Sequence, residues 1–297
     1  MTAHDSAIRT TPVAVGGTAL AALGVLAFSF SFPATVWALS GFGPWTATGL
    51  RGVLAAIVAG GCLAVRRVPR PARADLPGLL AVAAGCVVGF PLLTTLALRT
   101  SSTAHSAVVI GLLPLATAAV AAVRGGARPS RGFWWAALAG AGAVAAFTVQ
   151  QSGGGPGRAD LFLLAALLLC AAGYAEGGRL ARRMPGWQVI AWAVVLALPA
   201  TLLTTGLALP AEEVHAGPRA VAGLVYTAAV SQFAGFVVWY RGMALIGVPK
   251  ASQLQLAQPL LTLGWAVLVL GERMSPAAPA AAVAVLACIA ATQRARG

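Results

Sequence analysis

Apolar residues run along this chain in long blocks of close to 20 positions, and arginine, proline or glycine closes each block. That length matches the roughly 20 residues with which a helix crosses a hydrocarbon core about 30 Å thick. The pattern predicts ten helices, near 13–33, 45–65, 77–98, 104–123, 132–150, 160–180, 187–208, 219–245, 251–270 and 277–293. The longest polar connection, 66–75, is too short for a separate soluble domain. Arg9 ahead of the apolar run 13–32 has the layout of a signal peptide, but more membrane follows it, so an uncleaved first span is expected. The predicted fold is an all-α integral membrane protein whose solvent is the lipid bilayer.

Composition agrees with the pattern. Hydrophobic residues make up 59% of the chain and charged residues 9%, against roughly a quarter charged in ordinary soluble domains. The net charge of +13, from 20 Lys+Arg and 7 Asp+Glu, would elsewhere suggest nucleic acid. Here the arginines sit in short connections, where the positive-inside bias accounts for them, and no nucleic-acid partner is expected. With the N terminus inside, fourteen basic residues fall on the cytoplasmic side. Four, Arg99, Arg158, Arg219 and Arg273, fall outside, while Arg51 and Arg241 lie within or at the ends of spans. That ratio fits an even number of spans in a cytoplasmic (inner) membrane with both termini cytoplasmic. Cys62, Cys86, Cys170 and Cys288 are scattered singly in apolar runs and read as packing residues.

The two halves resemble each other. A shift of 145 residues lays Leu113, Pro114 and Leu115 on Gln258, Pro259 and Leu260, and it lays Gly126, Ala127 and Arg128 on Gly271, Glu272 and Arg273. Gly89-Phe90 matches Gly235-Phe236 with a slip of one residue. The chain then divides into 13–150 and 160–293, with five spans each. An odd number of spans starts the second copy from the opposite side of the membrane, so the repeats must be inverted, a common construction of secondary transporters.

The stretch Ala251-Ser-Gln-Leu-Gln-Leu-Ala-Gln-Pro259, with Gly271-Glu272-Arg273 closing the ninth span and a second copy around Pro114 and Gly126, resembles the EamA-type transporters of the drug/metabolite transporter superfamily. The resemblance covers essentially the whole chain. It implies ten helices in two inverted five-helix repeats, and export of amino acids, amines, drugs or other metabolites. The first copy carries Ala127 where the family motif has Glu, so any role of that Glu falls to Glu272 alone.

Several residues are candidates for a site. Pro114 and Pro259 each remove a backbone hydrogen bond to the residue four earlier and predict kinks beside a pathway or within packed protein. Ser252, Gln255, Gln258 and Thr262 share one stripe of the ninth span, which would face a substrate or bond to neighbouring helices. Gln232, Phe236, Trp239 and Tyr240 have similar spacing in the eighth span and suit either a pocket wall or an interfacial belt. Glu176 is the one carboxylate inside a span. It reads as a coupling site, with protons as the ion, or as an ion pair with Arg179 and Arg183. His105 opens the fourth span as a gating or merely solvated group, and Glu212, Glu213 and His215 read as a solvated turn. Gly85 with Gly89, and Gly173 with Gly177, have the spacing that lets helices approach.

The leading function is thus a secondary transporter, an exporter of a small-molecule substrate by alternating access, with no cofactor. The alternative is a membrane enzyme acting on a lipid or isoprenoid. It would need acids, histidines or a Ser/Lys pair clustered at one depth, and the chain's 3 His are not grouped.

Overall fold

The computed structural model describes residues 11–124, 131–152, 157–246, 254–255, 257–273 and 275–294. The first apolar block runs past its predicted end at Pro33. Helices α1 (Thr11–Ser29) and α2 (Ser31–Leu39) follow one another with only Phe30 between them. Pro33 stands third in α2, in a first turn, where a missing N–H forfeits no helical bond. The chain returns as α3 (Pro44–Val65), started by a proline at its first position.

The third block is one rod with an irregular middle: α4 (Leu76–Val82), a π-helical segment Ala83–Gly89, and α5 (Phe90–Ala97). The fourth is interrupted at Gly111 and Leu112, between α6 (Thr103–Ile110) and α7 (Leu113–Arg124). Three long helices follow, α8 (Arg131–Ser152), α9 (Arg158–Leu180) and α10 (Gly186–Ala208). The eighth block repeats the irregularity of the third, with α11 (Pro218–Val225), a π-helical segment Tyr226–Ala234, and α12 (Gly235–Ile246). Then come α13 (Ala257–Leu270) and α14 (Ala277–Arg294).

Among the described residues, 6 helices are long and apolar enough to span a membrane; four shorter apolar helices, Thr103–Thr117, Leu138–Phe147, Ala257–Leu270 and Ala277–Cys288, occupy the remaining predicted blocks. Leu164, Leu203, Leu207 and Leu268 point outward, as they would toward lipid. Inside, hydroxyls bond back to their own helix, Thr48 to the Pro44 carbonyl, Thr95 to that of Pro91 and Thr205 to that of Thr201. Each such bond satisfies a buried hydroxyl that has no water to turn to.

Lipid gives apolar helices no hydrophobic reason to associate, so close approach through small residues must supply the packing. Helix α3 lies along α10 and α1 along α12. A Cβ added at Gly52 would meet Thr201 Cβ at 2.8 Å, and one at Gly24 would meet Trp239 Cβ at 2.8 Å. The glycines singled out in the third and sixth blocks form a third seam. Gly85 lies against the Leu169 carbonyl, and a Cβ on Gly173 would stand 2.5 Å from Cys86 Sγ.

Candidate functional site

Each irregular stretch of backbone faces the same space. A cavity of about 70 Å³ lies inside the bundle. Its wall takes residues from the α1–α2 junction, both π-helical segments or their exits, the Gly111 interruption and the start of α13. Freed carbonyls are tolerated at membrane depth only where protein or a polar cavity satisfies them, and the partners here are identifiable. Thr262 donates to the Ser29 carbonyl at 2.9 Å, just where α1 stops. The Trp265 indole N–H bonds Ser29 Oγ at 3.0 Å. Gln232 Nε2 donates to the Cys86 carbonyl in the opposite π-helical segment at 3.3 Å.

A cation sits at the centre of this network. Arg51 projects from α3, seven residues in from Pro44 and so about 10 Å below that helix's start. Its Nε donates to Gln232 Oε1 at 3.0 Å and its Nη2 to Ser231 Oγ at 3.4 Å. Ser231 Oγ in turn lies 2.6 Å from Ser31 Oγ. Phe28, Phe90, Phe236 and Tyr174 supply the apolar part of the wall.

The predicted stripe of the ninth span divides as follows. Gln255, Gln258, Pro259 and Thr262 line the cavity, while Ser252 lies outside the described residues. Pro114 lines it from α7, where it stands second, directly after the interruption at Gly111. Gln232 does not reach the cavity surface. It is 1% exposed, and both ends of its amide are spent on Arg51 and Cys86. Trp239 is buried against Phe28 and Gly24 and packs α12 onto α1. Arg51 was counted in the sequence only for its charge. Its signal was available all the same, since an ionisable residue well inside a span is a functional site by default.

Carboxylates tie the two ends of the bundle. At one end Gly271 adopts φ +67, a left-handed turn that glycine takes without strain and that commonly closes a helix. The turn swings Glu272 onto the start of α6, where it accepts from the amides of Thr103 at 2.9 Å and Ala104 at 3.2 Å. Glu212 does the same for α3, accepting from Thr46 at 2.8 Å and Trp45 at 3.3 Å, which is more than the solvated turn expected of it. The His105 ring is buried, stacked on Phe147 and 2.6 Å from Asp160, so it is not a loop-end histidine in water. Replacing Glu272 with Ala strands two helix-start amides. The change should cost about 1 kcal/mol, read as a lower thermal unfolding midpoint of the purified protein, with Glu272→Gln intermediate.

At the opposite end Glu176 is buried between two arginines, with Arg124 at 3.1 Å on one oxygen and Arg179 at 2.9 Å on the other. Arg183, the other expected partner, reaches Asp75 at 3.5 Å instead.

Broken helices around a polar-floored cavity, inside a bundle that presents leucine outward and carries ion pairs or helix caps at both ends, are the features of a multi-pass membrane protein. The family model described as EamA-like transporter family matches the chain twice, over residues 15–149 and 157–292. An uncharacterized transporter of Bacillus subtilis (strain 168), YdeK, is 45% identical over 272 residues, covering 92% of this chain and 95% of that one. A solved crystal structure that is 20% identical superposes with a TM-score of 0.66 over 93% of this chain and 94% of its own, a likeness of fold. The chain belongs to the EamA-like transporter family.

Proposed function

We propose that the protein is a secondary exporter of a small metabolite, with ten spans in two inverted five-span repeats, and that it works by alternating access around the central cavity. The observation that carries this reading is the ring of irregular backbone. Each half contributes a π-helical rod and an interrupted or proline-bearing helix to one cavity, and a site at the interface of inverted repeats is what alternating access requires. At about 70 Å³ the cavity is far below the roughly 300–1,000 Å³ of typical ligand sites. The walls must therefore part to admit a solute.

The distribution of arginines supports an inner-membrane orientation with both termini cytoplasmic, which makes the Glu272 end the outer one. Export is the direction that the family resemblance implies. Against the membrane-enzyme alternative, the carboxylates of the described residues sit at the two ends of the bundle, and none lines the central cavity.

The test is a flux screen in proteoliposomes with pooled amino acids, organic acids, amines and drugs, run with and without a pH gradient. Uptake above empty liposomes supports the reading. Folded protein that moves no solute from any pool defeats it. The same assay decides the role of Glu176, whose two oxygens are both engaged by guanidinium groups. As an ion pair it predicts that Glu176→Gln lowers the yield of folded protein and leaves any dependence on the pH gradient unchanged. Loss of that dependence with substrate counterflow intact would make Glu176 the proton-coupling site instead.

A further inference from the structure

Charge accounting around Arg51 narrows the substrate. The chain has 7 Asp+Glu, and Asp5 lies outside the described residues. Asp75 is taken by Arg183, Asp160 by His105, and Glu176 by Arg124 and Arg179. Glu212 and Glu272 cap helix starts, and Glu213 is exposed on the loop at that same end. Among the described residues, then, no carboxylate faces Arg51. Its protein partners are one amide oxygen and one hydroxyl, which occupy two of the five N–H donors of a guanidinium. An intramembrane charge without a counter-charge is costly, and this one opens onto the cavity.

Resting on the transporter reading, we infer that the transported solute carries an organic carboxylate that docks on the Arg51 guanidinium from the central cavity, with its apolar body against the wall of Phe28, Phe90, Phe236 and Tyr174. The fork of a guanidinium matches a carboxylate in two parallel hydrogen bonds. Gln232, held by the Cys86 carbonyl, fixes the plane of that fork by accepting from Nε, which leaves the Nη edge for the solute. Amines, which the family resemblance allows, meet a like charge here and no described acid to offset it.

The experiment uses the purified full-length protein and three probes with one body and different heads: 3-phenylpropionate, 3-phenylpropionamide and 3-phenylpropylamine. Hexanoate and indole-3-acetate are added as carboxylates of other shapes, and sodium chloride at matched ionic strength serves as the inorganic anion. Binding is read as the concentration dependence of the thermal unfolding midpoint. At least one carboxylate is expected to bind at least tenfold more tightly than the matched amide and amine. Arg51→Gln should weaken that carboxylate at least tenfold and leave the amide unchanged. Arg51→Lys, which keeps the charge inside the bundle, should retain a preference for acid over amide and serves if Arg51→Gln fails to fold.

The inference is overturned if no carboxylate protects, if the amine binds best, if chloride protects as well as the carboxylates, or if Arg51→Gln binds the acid as the parent does. Flux separates it from the broader reading. Transport of amines with carboxylates inert leaves a transporter and removes this substrate class. Arg51-dependent carboxylate binding without flux of any solute keeps the site and removes the transporter.

Discussion

Gly242→Leu is expected to abolish recovery of folded protein. Gly242 lies in α12 against α1, and a Cβ there would press on the Ala21 amide nitrogen and come within 2.8 Å of both Ala21 Cα and the Gly17 carbonyl oxygen. All three are backbone atoms, so no rotamer change relieves the clash, and the two helices must move apart along the whole seam. Overpacking commonly costs about 1–3 kcal/mol, and a rigid backbone contact belongs at or above the top of that range. Helix separation would also loosen Phe28, Phe236 and Trp239, which interlock across the same seam with ring centroids 4.9 Å and 6.4 Å apart. The measurement is the monodisperse peak on size exclusion in detergent beside that of Gly264→Ala. Gly264 has open space where its Cβ would stand, and there alanine should be neutral or stabilising by about 0.5–1 kcal/mol. Equal recovery of the two variants would mean that α1 and α12 do not pack as described.

Gln258→Leu is the counterpart at the site, with a large effect on binding and a small one on folding. The residue is partly buried on the cavity wall, and its backbone carbonyl lies 3.0 Å from the Thr262 hydroxyl, whose single proton it shares with the Ser29 carbonyl. Leucine retains helix propensity and similar bulk but deletes a donor and an acceptor. A site that hydrogen-bonds its solute through this amide should lose about 1–3 kcal/mol, a five- to hundredfold loss of affinity in titrated transport or thermal-shift assays. Unchanged affinity with a lower unfolding temperature would assign Gln258 to interhelical bonding and leave the Arg51 side of the cavity to recognise the solute.

The apolar blocks and the stripe of the ninth span were legible because both rest on periodicity. A helix that must cross lipid announces itself by length, and Gln255, Gln258 and Thr262 share a face through the ordinary helical spacing. The eighth span is less regular. By α-helical spacing its Gln232, Phe236, Trp239 and Tyr240 suit a pocket wall or an interfacial belt, and a π-helical segment, Tyr226–Ala234, precedes α12. Bonding five residues back in place of four winds the chain more loosely and rotates the following residues off the expected face. Ser231 and Phe236 line the cavity, while Gln232 is spent on Arg51 and the Cys86 carbonyl and Trp239 packs on Phe28 and Gly24 of α1. Nothing local in 83–89 or 226–234 advertises that winding. The role of Glu272 was hidden for a different reason, because its partners Thr103 and Ala104 are 169 and 168 residues away in the chain.

Under the inverted-repeat architecture proposed above, the cap that Glu272 places on α6 has a thermodynamic consequence. A pair of inverted copies passes between its two end states by exchanging the roles of its halves, so a perfectly symmetric sequence would populate both equally. The two copies differ at this position, since Ala127, a residue with no carboxylate, stands where the other copy has Glu272. A cap worth about 1 kcal/mol then tilts the resting equilibrium roughly fivefold toward the state closed at the Glu272 end. On the exporter reading proposed above, that bias keeps the outer side shut at rest, and the bound solute supplies the free energy that opens it.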